Sequence, residues 1–438
     1  MAEKKPNIRF KGFEEEWEDK PFADAYKSAA EGGTPSTSVK DYYVGGSIPF
    51  VKIEDTEQKY IHDTASHITE KGMNNSSAWL IPSNSIIFTN GATIGNVAIN
   101  KVPVTTKQGI LGVIQDTSKF DLEYLYYALL TDEFQTEVEK RQSKGTFATI
   151  ILRNLDKIDI PHTSLPEQRK IGEFFKQLDE LIGAKEQELE KLRQIKLALL
   201  DKMFPSDNQE NINGGGKSLI YKTLQNNSQL VVSSPAPNTP TIRFRGFTEP
   251  WVKYLISHRV TYGKGRGYSK ACLQQSGTPI LLYGTLYTDY NTNITEVNRY
   301  SAKKDWAVMS KGNEVVVPAS GETAEDIARA SAILKAGIIL GGDLNIIYPD
   351  DNLDASFLAL ELTYGNSHRK LVKKAQGISV VHLHNTDISE LEINVPSYNE
   401  QRKIGDFFRS QDEAIANSRL QINKLKTIKQ ACVSQMFA

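Results

Sequence analysis

The residues of this chain that could do chemistry are polar side chains beside glycines or turn residues. Lysine and arginine pair with guanine edges and phosphates, asparagine and glutamine match adenine, and threonine and tyrosine bind phosphate oxygens. Such side chains could contact DNA where they reach base edges or phosphates, but their types alone leave the function open. The candidates in the first half of the chain are Lys52, Thr89, Asn90, Lys107 and Gln108. For each of them alone, the alternative is an ordinary solvated loop side chain.

A second cluster of such residues lies in the second half of the chain. The segment Tyr262–Tyr268 places cations and aromatic rings among glycines, in the order Tyr-Gly-Lys-Gly-Arg-Gly-Tyr. It predicts a loop that contacts phosphates through Lys264, Arg266 and Tyr268. The segment also contains Gly-x-Gly, which is weak evidence for a nucleotide site without a strand before it and a helix after it.

Motifs of catalysis and metal binding are missing from the sequence. It contains no His-Glu-x-x-His, no paired Cys-x-x-Cys and no Asn-Pro-Pro-Tyr-like motif of adenine methylation. Pro349-Asp350-Asp351 lacks the downstream partner that a nuclease needs. We therefore predict that this chain has no catalytic residue, no metal site and no cofactor of its own.

The charge balance excludes a uniformly basic nucleic-acid binder, because 52 basic residues face 53 acidic ones. Local basic surfaces could still contact phosphates. The two cysteines cannot build a disulfide framework, and the first residues lack the apolar core of a signal peptide. No apolar run reaches the length of about 18 residues that a membrane span needs, so we predict a cytoplasmic protein.

The chain repeats itself once. Residues 8–13, Ile-Arg-Phe-Lys-Gly-Phe, recur with one change at 242–247. Residues 167–175, Glu-Gln-Arg-Lys-Ile-Gly-Glu-Phe-Phe, recur with one change at 400–408, an offset of 233 residues. So long a period indicates two similar domains in tandem rather than a solenoid of short repeats.

Residues 205–240, between the two copies, have the composition of a flexible linker, with three consecutive glycines and the run Ser-Ser-Pro-Ala-Pro. Within them, residues 213–218 superficially resemble a phosphate-binding loop. The first glycine of that motif would have to be residue 211, which is Asn211, and no apolar strand precedes it. We therefore favour the linker.

Each half begins with a mixed, strand-rich domain, which we call head one and head two. Short apolar runs at 85–89 and 314–317 predict strands, and apolar spacings predict a helix over 120–140. The repeated tryptophans Trp17 and Trp251 are predicted to anchor the cores of the two heads rather than to stack on bases.

Each half ends in a long amphipathic helix, with apolar residues spaced by threes and fours over about five heptads. The predicted seam consists of Ile171, Phe175, Leu178, Ile182, Leu189, Leu192, Leu199, Ile404, Phe408, Ile415, Ile422 and Leu425. The same stripes also include Ile195, Met203, Ile428, Cys432 and Met436.

Two arrangements of these stripes remain open. Each helix could pack on its own head, or the two helices could pair with each other, and the matching seams favour pairing. A pseudo-twofold axis perpendicular to the seam would make the helices antiparallel. A helix of 39 residues is about 58 Å long, and a DNA duplex turns once in roughly 34–36 Å. The helix length could therefore set the distance between two DNA half-sites.

The order of head, long helix, linker, head and long helix resembles the specificity subunit of type I restriction–modification enzymes. Gly32–Thr37 and Gly46–Ile53 are similar to the opening of the family's target-recognition domains. Asn90–Gly95 and Thr106–Gly109 resemble its later segments, and Pro166–Ile171 resembles the start of its central helical region. The second head departs more, although two of its segments are similar to family variants, namely Gly321–Asp326 and Gly341–Leu344.

The resemblance implies an α+β fold. Two target-recognition domains of mixed, strand-rich α/β structure would each be followed by a long helix, and the two helices would pair as an antiparallel coiled coil. The implied bounds are 1–164 and 241–398 for the target-recognition domains, 165–204 and 399–438 for the helical regions, and 205–240 for the linker.

The resemblance also implies a non-catalytic DNA-specificity subunit of a bacterial or archaeal cell. Each head would recognise one half of a bipartite, asymmetric target in the major groove, and the helices would dock two methyltransferase subunits that flip adenines out of the duplex. Separate restriction and translocase subunits would join them. S-adenosylmethionine, ATP and Mg²⁺ would belong to those partners.

Two other functions are compatible with parts of the sequence. A purely structural coiled-coil scaffold would bind random and selected duplexes equally well. A standalone hydrolase would show turnover as a purified chain without partners, but we expect no turnover because the motifs of catalysis are missing.

Overall fold

The structure is a computed structural model that describes residues 6–143, 148–204, 229–233, 238–288, 290–375, 377 and 380–437. The chain divides into two compact units. Unit one comprises Met1–Glu186 and Gln421–Ala438, and unit two comprises Gln187–Leu420. Each unit therefore contains one head together with parts of both long helices.

Head one consists of short strands and short helices. Its strands are β1 (Glu18–Pro21), β2 (Tyr26–Glu31), β3 (Ile48–Val51), β4 (Tyr60–Ile61), β5 (His67–Ile68), β6 (Ile86–Thr89), β7 (Val97–Asn100), β8 (Thr105–Thr106), β9 (Ile110–Gln115) and β10 (Asp159–His162). Its helices are α1 (Glu70–Asn74), α2 (Leu122–Ala128), α3 (Asp132–Arg141) and α4 (Leu152–Leu155). The long helix α5 (Leu165–Met203) follows.

Unit two has the same kind of elements. Its strands are β11 (Leu230–Val232), β12 (Ile242–Phe244), β13 (Val252–Leu255), β14 (Val260–Lys264), β15 (Thr278–Leu281), β16 (Asn293–Ile294), β17 (Tyr300–Ser301), β18 (Met309–Lys311), β19 (Glu314–Pro318), β20 (Ser320–Gly321), β21 (Ser331–Ile333), β22 (Ala336–Leu340), β23 (Leu344–Pro349), β24 (Val381–His382) and β25 (Glu392–Val395). Its helices are α6 (Thr285–Thr288), α7 (Ala324–Ile327), α8 (Ala355–Tyr364), α9 (Asn366–Lys374), α10 (Asn385–Ser389) and the long helix α11 (Tyr398–Met436).

The two heads share one sheet topology. The central sheet of head one has the strand order β2-β9-β6-β7-β4, and that of head two has the order β14-β23-β19-β21-β16. In both, the last pair is parallel and the others are antiparallel. A smaller sheet, β5-β3-β8 in head one, corresponds to the first three strands of the sheet β17-β15-β22-β18 in head two. The tandem duplication inferred from the sequence is therefore a duplication of the fold.

The central strands β6 and β19 carry apolar residues on both faces because both faces of the sheet are covered. In β6, Ile86 and Phe88 pack against α2 and α3, whereas Ile87 belongs to a smaller core on the opposite face. In head two, the residues of β19 alternate between two cores in the same way. The predicted strands at these positions are thus present, and they form the middle of each head.

The two long helices are antiparallel in unit one. An oxygen of Asp179 on α5 lies 2.6 Å from the Nζ of Lys429 on α11. Further along α5, Glu186 lies 2.7 Å from Lys426, which comes earlier in α11. The residue numbers rise along one helix while they fall along the other, as in an antiparallel pair.

The helices are antiparallel in unit two as well. Lys196 of α5 forms an ion pair with Asp412 of α11. Met203 at the end of α5 and Phe408 near the start of α11 belong to one core. The predicted fold class, with two heads and an antiparallel pair of long helices, is confirmed.

The end of each long helix completes the core of the head in the other half of the sequence: α11 ends at head one, and α5 ends at head two. In unit one, Phe437, just after α11, has its ring centre 6.3 Å from that of Trp17 and 5.1 Å from that of Tyr124. In unit two, Phe204, just after α5, lies 6.0 Å from Trp251. Both tryptophans are buried, as predicted for core anchors.

The start of each long helix packs on its own head. Ile171 and Phe175 belong to the core of head one, and Ile404 and Phe408 belong to that of head two. Both arrangements left open by the sequence therefore occur, at different places along each helix. Of the predicted seam residues, Leu192 and Leu425 are half-buried and the others are buried.

The repeated sequence motifs join each head to its helix. Arg9 of the first motif donates to the buried carboxylate of Glu167 at 2.6 Å, and Trp17 donates to the same carboxylate at 3.1 Å. In unit two, Arg243 donates to Glu400 at 2.6 Å. A buried carboxylate needs such partners to remain charged. Each copy of the repeated motifs therefore forms the same ion pair, once in each unit.

The glutamine of the same motif makes a second contact between each long helix and its head. The side-chain oxygen of Gln168 accepts from the backbone N–H of Asp121, which is the N-cap of α2, at 2.9 Å. Gln401 accepts from the backbone N–H of Asp354, the N-cap of α8, at the same distance. Each long helix is thereby fixed to the first turn of a helix in its head.

Three expectations need correction. The helix predicted over 120–140 is broken into α2 and α3, because Thr131 caps a new helix by accepting from the N–H of Phe134. Ile428 is 51% exposed rather than part of the seam, because α11 there buries Val433 against head one. Part of the linker predicted over 205–240 is ordered, since β11 pairs with β12. Residues 205–228 and 234–237 lie outside the described residues.

Candidate nucleic-acid interface

Four loops of head one meet at one end of its sheets, and we call this place the loop junction of head one. Gly32, after β2, donates its N–H to Ile110 O at 3.0 Å, and Asn90, after β6, donates to Gly109 O at 3.0 Å. Lys107, after β8, donates its N–H to the carbonyl of Val51, which directly precedes Lys52, at 3.0 Å. Backbone hydrogen bonds thus bring Lys52, Asn90 and Lys107 together from distant parts of the sequence.

Glycines allow these loops to approach closely. A Cβ on Gly32 would lie 2.0 Å from the carbonyl oxygen of Thr106, and a Cβ on Gly33 would lie 2.1 Å from Ser77 Oγ. Gly91 and Gly109 face each other, and Gly109 has a φ of +88°. The Gly-Gly motif in the sequence therefore has a packing role, because a side chain there would separate the loops.

The loop junction of head two is built by the corresponding hydrogen bonds. Gly265 donates its N–H to Leu344 O at 2.9 Å, Gly341 donates to Leu281 O at 2.9 Å, and Ala319 donates to Asp343 O at 2.8 Å. Asp343 takes the place of Gly109 and also has a positive φ, of +55°. The backbone frame is the same in both heads.

The side chains on this frame differ between the heads. In head one the cations are Lys52 and Lys107, which follow the parallel pair of β3 and β8. At the corresponding places head two has Leu282 and Gly341, after β15 and β22. Head two instead carries Lys264 at the end of β14, where head one has Glu31 at the end of β2.

One further cation of head two has no charged counterpart in head one. Arg266 follows Gly265 directly, as the uncharged Gly33 follows Gly32. Its side chain is exposed, as are those of Lys264, Lys107 and Gln108, and Lys52 is half-exposed. The two heads therefore present positive charge from different loops of one frame.

Three candidates from the sequence are buried instead of lying on a loop surface. Thr89 is fully buried, and its hydroxyl accepts from the N–H of Asn96 at 2.9 Å. Asn90 is 5% exposed, and its side-chain N–H donates to Ile150 O at 3.2 Å. These side chains hold the loops of head one in place.

Tyr268 is the third buried candidate and is 4% exposed. Its hydroxyl donates to Ala302 O at 3.1 Å and accepts from the N–H of Lys304 at 2.9 Å. The sequence did not reveal that these three side chains turn inward, nor that Thr89 is the last residue of strand β6 rather than part of a loop. Direct contact with a ligand needs a side chain that reaches it, so the structure supports only the exposed candidates in that role.

A cleft of about 770 Å³ lies beside the loop junction of head two. Its lining includes Lys270, Tyr283, Tyr287, Arg299, Glu322 and Asp343. Cations, phenols and carboxylates on one concave surface offer donors and acceptors of the kinds that contact nucleic-acid backbones and base edges. Sequence reasoning did not select these residues, because they come from separate loops without a common motif.

Among the residues that the structure describes, no helix is both long enough and apolar enough to span a membrane. Nor do these residues contain a group of three or more His, Cys, Asp and Glu side chains placed to hold a metal ion.

The chain matches one family model twice. The model is described as the type I restriction modification DNA specificity domain, and it matches residues 14–194 and 249–427. Each match covers most of one head and most of the long helix that follows it. The model thus finds the same duplication that the sequence motifs and the sheet topology show.

Curated relatives belong to the same group. The chain is 26% identical to the type I restriction enzyme MjaIX specificity subunit of Methanocaldococcus jannaschii, over 96% of this chain and 92% of that protein. It is 29% identical to the EcoR124I/EcoR124II specificity subunit of Escherichia coli, over 35% of this chain and 39% of that protein.

Solved structures share the fold. The S subunit of a type I restriction–modification system from M. genitalium aligns with a TM-score of 0.59 at 14% identity, over 99% of both chains. A chain from a study of complex assembly and conformational transition of the type I R-M system aligns with a TM-score of 0.54 at 15% identity, over 96% of this chain and 97% of that one. Because the family model covers most of the sequence in two copies, this chain belongs to the type I restriction–modification DNA-specificity family, as a specificity subunit with two target-recognition domains.

Proposed function

We propose that this chain recognises a bipartite DNA target, with one half-site for each head, through the two loop junctions. The observation that carries the proposal is the shared backbone frame with different exposed cations, Lys52 and Lys107 in head one against Lys264 and Arg266 in head two. Such side chains bind phosphates and guanine edges. Different side chains on one frame would select two different half-sites.

In this proposal, three side chains of head one and two of head two, all at least half-exposed, touch the major groove or its phosphates. They are Lys52, Lys107 and Gln108, and Lys264 and Arg266. Thr89, Asn90 and Tyr268 would position loops without touching DNA. Glutamine suits adenine and the cations suit guanine or phosphate, so the same short list provides both base recognition and register.

The paired helices would set the distance between the half-sites and dock two adenine methyltransferase subunits. The support is their antiparallel pairing and the fixing of each helix to its head by a buried ion pair. A rigid connection transmits a fixed spacing, whereas a flexible one would not. Restriction and translocase subunits would join the same assembly.

We also propose that the chain has no catalytic site of its own and works in the cytoplasm of a bacterium or archaeon. S-adenosylmethionine, ATP and Mg²⁺ would be bound by the partner subunits. This chain would hold the DNA in position. Methyl transfer to an adenine that leaves the base stack requires DNA that is held firmly on both sides of that adenine.

The test is methylome sequencing of the host with and without the gene, followed by footprinting of the assembled complex on the motif found. We expect a split methylation motif that disappears with the gene, and two protected patches separated by an unprotected spacer. A single contiguous patch would contradict the proposal. Equal binding to random duplexes would favour a structural scaffold instead.

A further inference from the structure

An exposed tryptophan lies against the cationic loop of head two. Trp306 is 41% exposed, whereas Trp17 and Trp251 are buried in the head cores. It follows Lys303 and Lys304, which are also exposed, in the segment between β17 and β18. A large ring left partly in water costs free energy unless a partner covers it.

The ring of Trp306 is held in place rather than loosely presented. It lies 5.0 Å from the ring of Tyr268, and the Tyr268 hydroxyl is fixed by its bonds to Ala302 O and to the N–H of Lys304. Gly267 has a φ of +60°, and a Cβ there would lie 2.8 Å from the indole. The indole thus occupies the space that a side chain at Gly267 would need.

One cation lies beside this ring and two more lie in the neighbouring loop, while the carboxylate of Asp305 directly precedes Trp306 in the sequence. The ammonium group of Lys304 lies 5.0 Å from the centre of the indole and 5.7 Å from that of Tyr268, which keeps a cation beside the aromatic surface. Arg266 directly precedes Gly267, and Lys264, the last residue of strand β14, lies two residues before Arg266. An apolar ring among cations is complementary to a nucleic-acid strand, where apolar sugars alternate with phosphates.

Head one has a different structure at the corresponding place. There β5 pairs with β3 as β17 pairs with β15 in head two. The segment after β5 forms α1, and its Met73 packs on a small core instead of lying exposed. The same segment of head one also carries Trp79, but that ring is half-buried against a small core, so among the described residues the exposed tryptophan belongs to head two.

We propose that Trp306 packs against the deoxyribose backbone of duplex DNA at the edge of the half-site bound by head two, while Lys303 and Lys304 contact the adjacent phosphates. The inference rests on the proposed function and assigns a positioning role. Because sugars and phosphates carry no base sequence, the contact raises affinity without selecting bases.

The test uses the full chain labelled with 5-fluorotryptophan and assembled with its unlabelled modification subunits. The DNA is a duplex that carries the motif found in the methylome. The chain has four tryptophans, and Trp306→Phe assigns one ¹⁹F resonance by removing it. We expect that resonance to shift when the duplex is added, while those of the buried Trp17 and Trp251 stay in place.

Binding by Trp306→Ala provides the second measurement. We expect affinity to fall about tenfold, by an equal factor on duplexes with altered head-two half-sites, and the footprint of head two to shrink. The footprint of head one should stay unchanged, and Trp306→Phe should retain most of the affinity. Unchanged ¹⁹F resonances of the other tryptophans confirm that the variant is folded.

Three outcomes would overturn the inference. In the first, Trp306→Ala binds DNA with wild-type affinity, and the Trp306 resonance of the wild-type complex does not shift, while both patches are still protected. This result would exclude the contact and leave the proposed function intact. Thymines at this half-site that become reactive to permanganate only when Trp306 is present would mean insertion between bases, not a backbone contact. Failure of the wild-type complex to protect either patch would remove the proposed function together with this inference.

Discussion

The two heads of this chain have one fold and two different surfaces. Their central sheets have the same strand order, and their loop junctions use corresponding backbone hydrogen bonds. Yet Lys107 of head one corresponds to Gly341 of head two, and Glu31 of head one corresponds to Lys264 of head two. Because the frame depends on backbone N–H and C=O groups, the side chains that it presents can change without loss of the frame.

The interiors of the heads also differ where the helices attach. Trp17 donates its indole N–H to Glu167, whereas the indole nitrogen of Trp251 is buried without a hydrogen-bond partner among the described residues. In head two, Arg243 donates to the carbonyl of Glu249 in addition to Glu400. The shared ion pair thus tolerates different neighbours, and differences in stability between the heads should follow from these contacts.

The largest expected effect is a loss of stability that is confined to one of the two units. Phe437→Ala should lower the free energy of unfolding of unit one by about 3–5 kcal/mol, because it leaves a cavity beside Trp17 and Tyr124. Phe204→Ala should do the same to unit two, beside Trp251 and Phe357. Amide hydrogen exchange measured on peptides of each unit distinguishes them. Equal loss of protection in both units from either variant would contradict the separation of the cores.

A smaller effect depends on pH and concerns head two. Glu361 is fully buried, and burial raises the pKa of its carboxyl from an ordinary value near 4.5 to about 8. The unfolded chain therefore loses this proton first, and the free energy of unfolding of unit two should fall as the pH rises from 4.5 to 8. Glu361→Gln should abolish that fall and stabilise unit two by about 2–3 kcal/mol at pH 8.

Asp179, on helix α5 in unit one, supplies the control of opposite sign. Burial raises the pKa of Asp179, but hydrogen bonds from Lys429, Lys59 and Tyr127 outweigh it and hold the pKa below its ordinary value of 3.8. The resulting stability is present above that value and is lost as the pH falls below it, and Asp179→Asn should remove this dependence. Pulse proteolysis in urea at several pH values measures both units. The same pH trend in both would contradict the assignment.

The smallest expected effect concerns the surfaces. Lys107→Ala should weaken protection of one half-site and Arg266→Ala that of the other, each by about 1 kcal/mol if the contact is a single phosphate. The slope of log affinity against log salt should then fall by about 1. Lys140→Ala, on α3, serves as a control because its ammonium already pairs with Glu137. If Lys107→Ala and Arg266→Ala weaken the same patch, the two heads do not bind separate half-sites.

The sequence predicted the features that depend on neighbours along the chain. The two long helices begin and end within about two residues of the predicted bounds, because a heptad pattern is local and repeated many times. The strands at 86–89 and 314–318 were found from short apolar runs. The helix predicted over 120–140 was wrong at Thr131, because a single capping threonine gives a weak signal inside an apolar pattern.

Only the tertiary structure decided which side chains meet and which are exposed. Arg9 and Glu167 are 158 residues apart, and the repeated motifs that contain them gave no indication that they pair. Thr89, Asn90 and Tyr268 lie beside glycines or turn residues, as the exposed candidates do, yet their side chains turn inward, while that of Trp306 remains exposed. Composition and spacing along the chain determined the elements and their duplication. Contacts between distant segments determined the surface, because burial depends on the rest of the folded chain and not on the neighbouring residues.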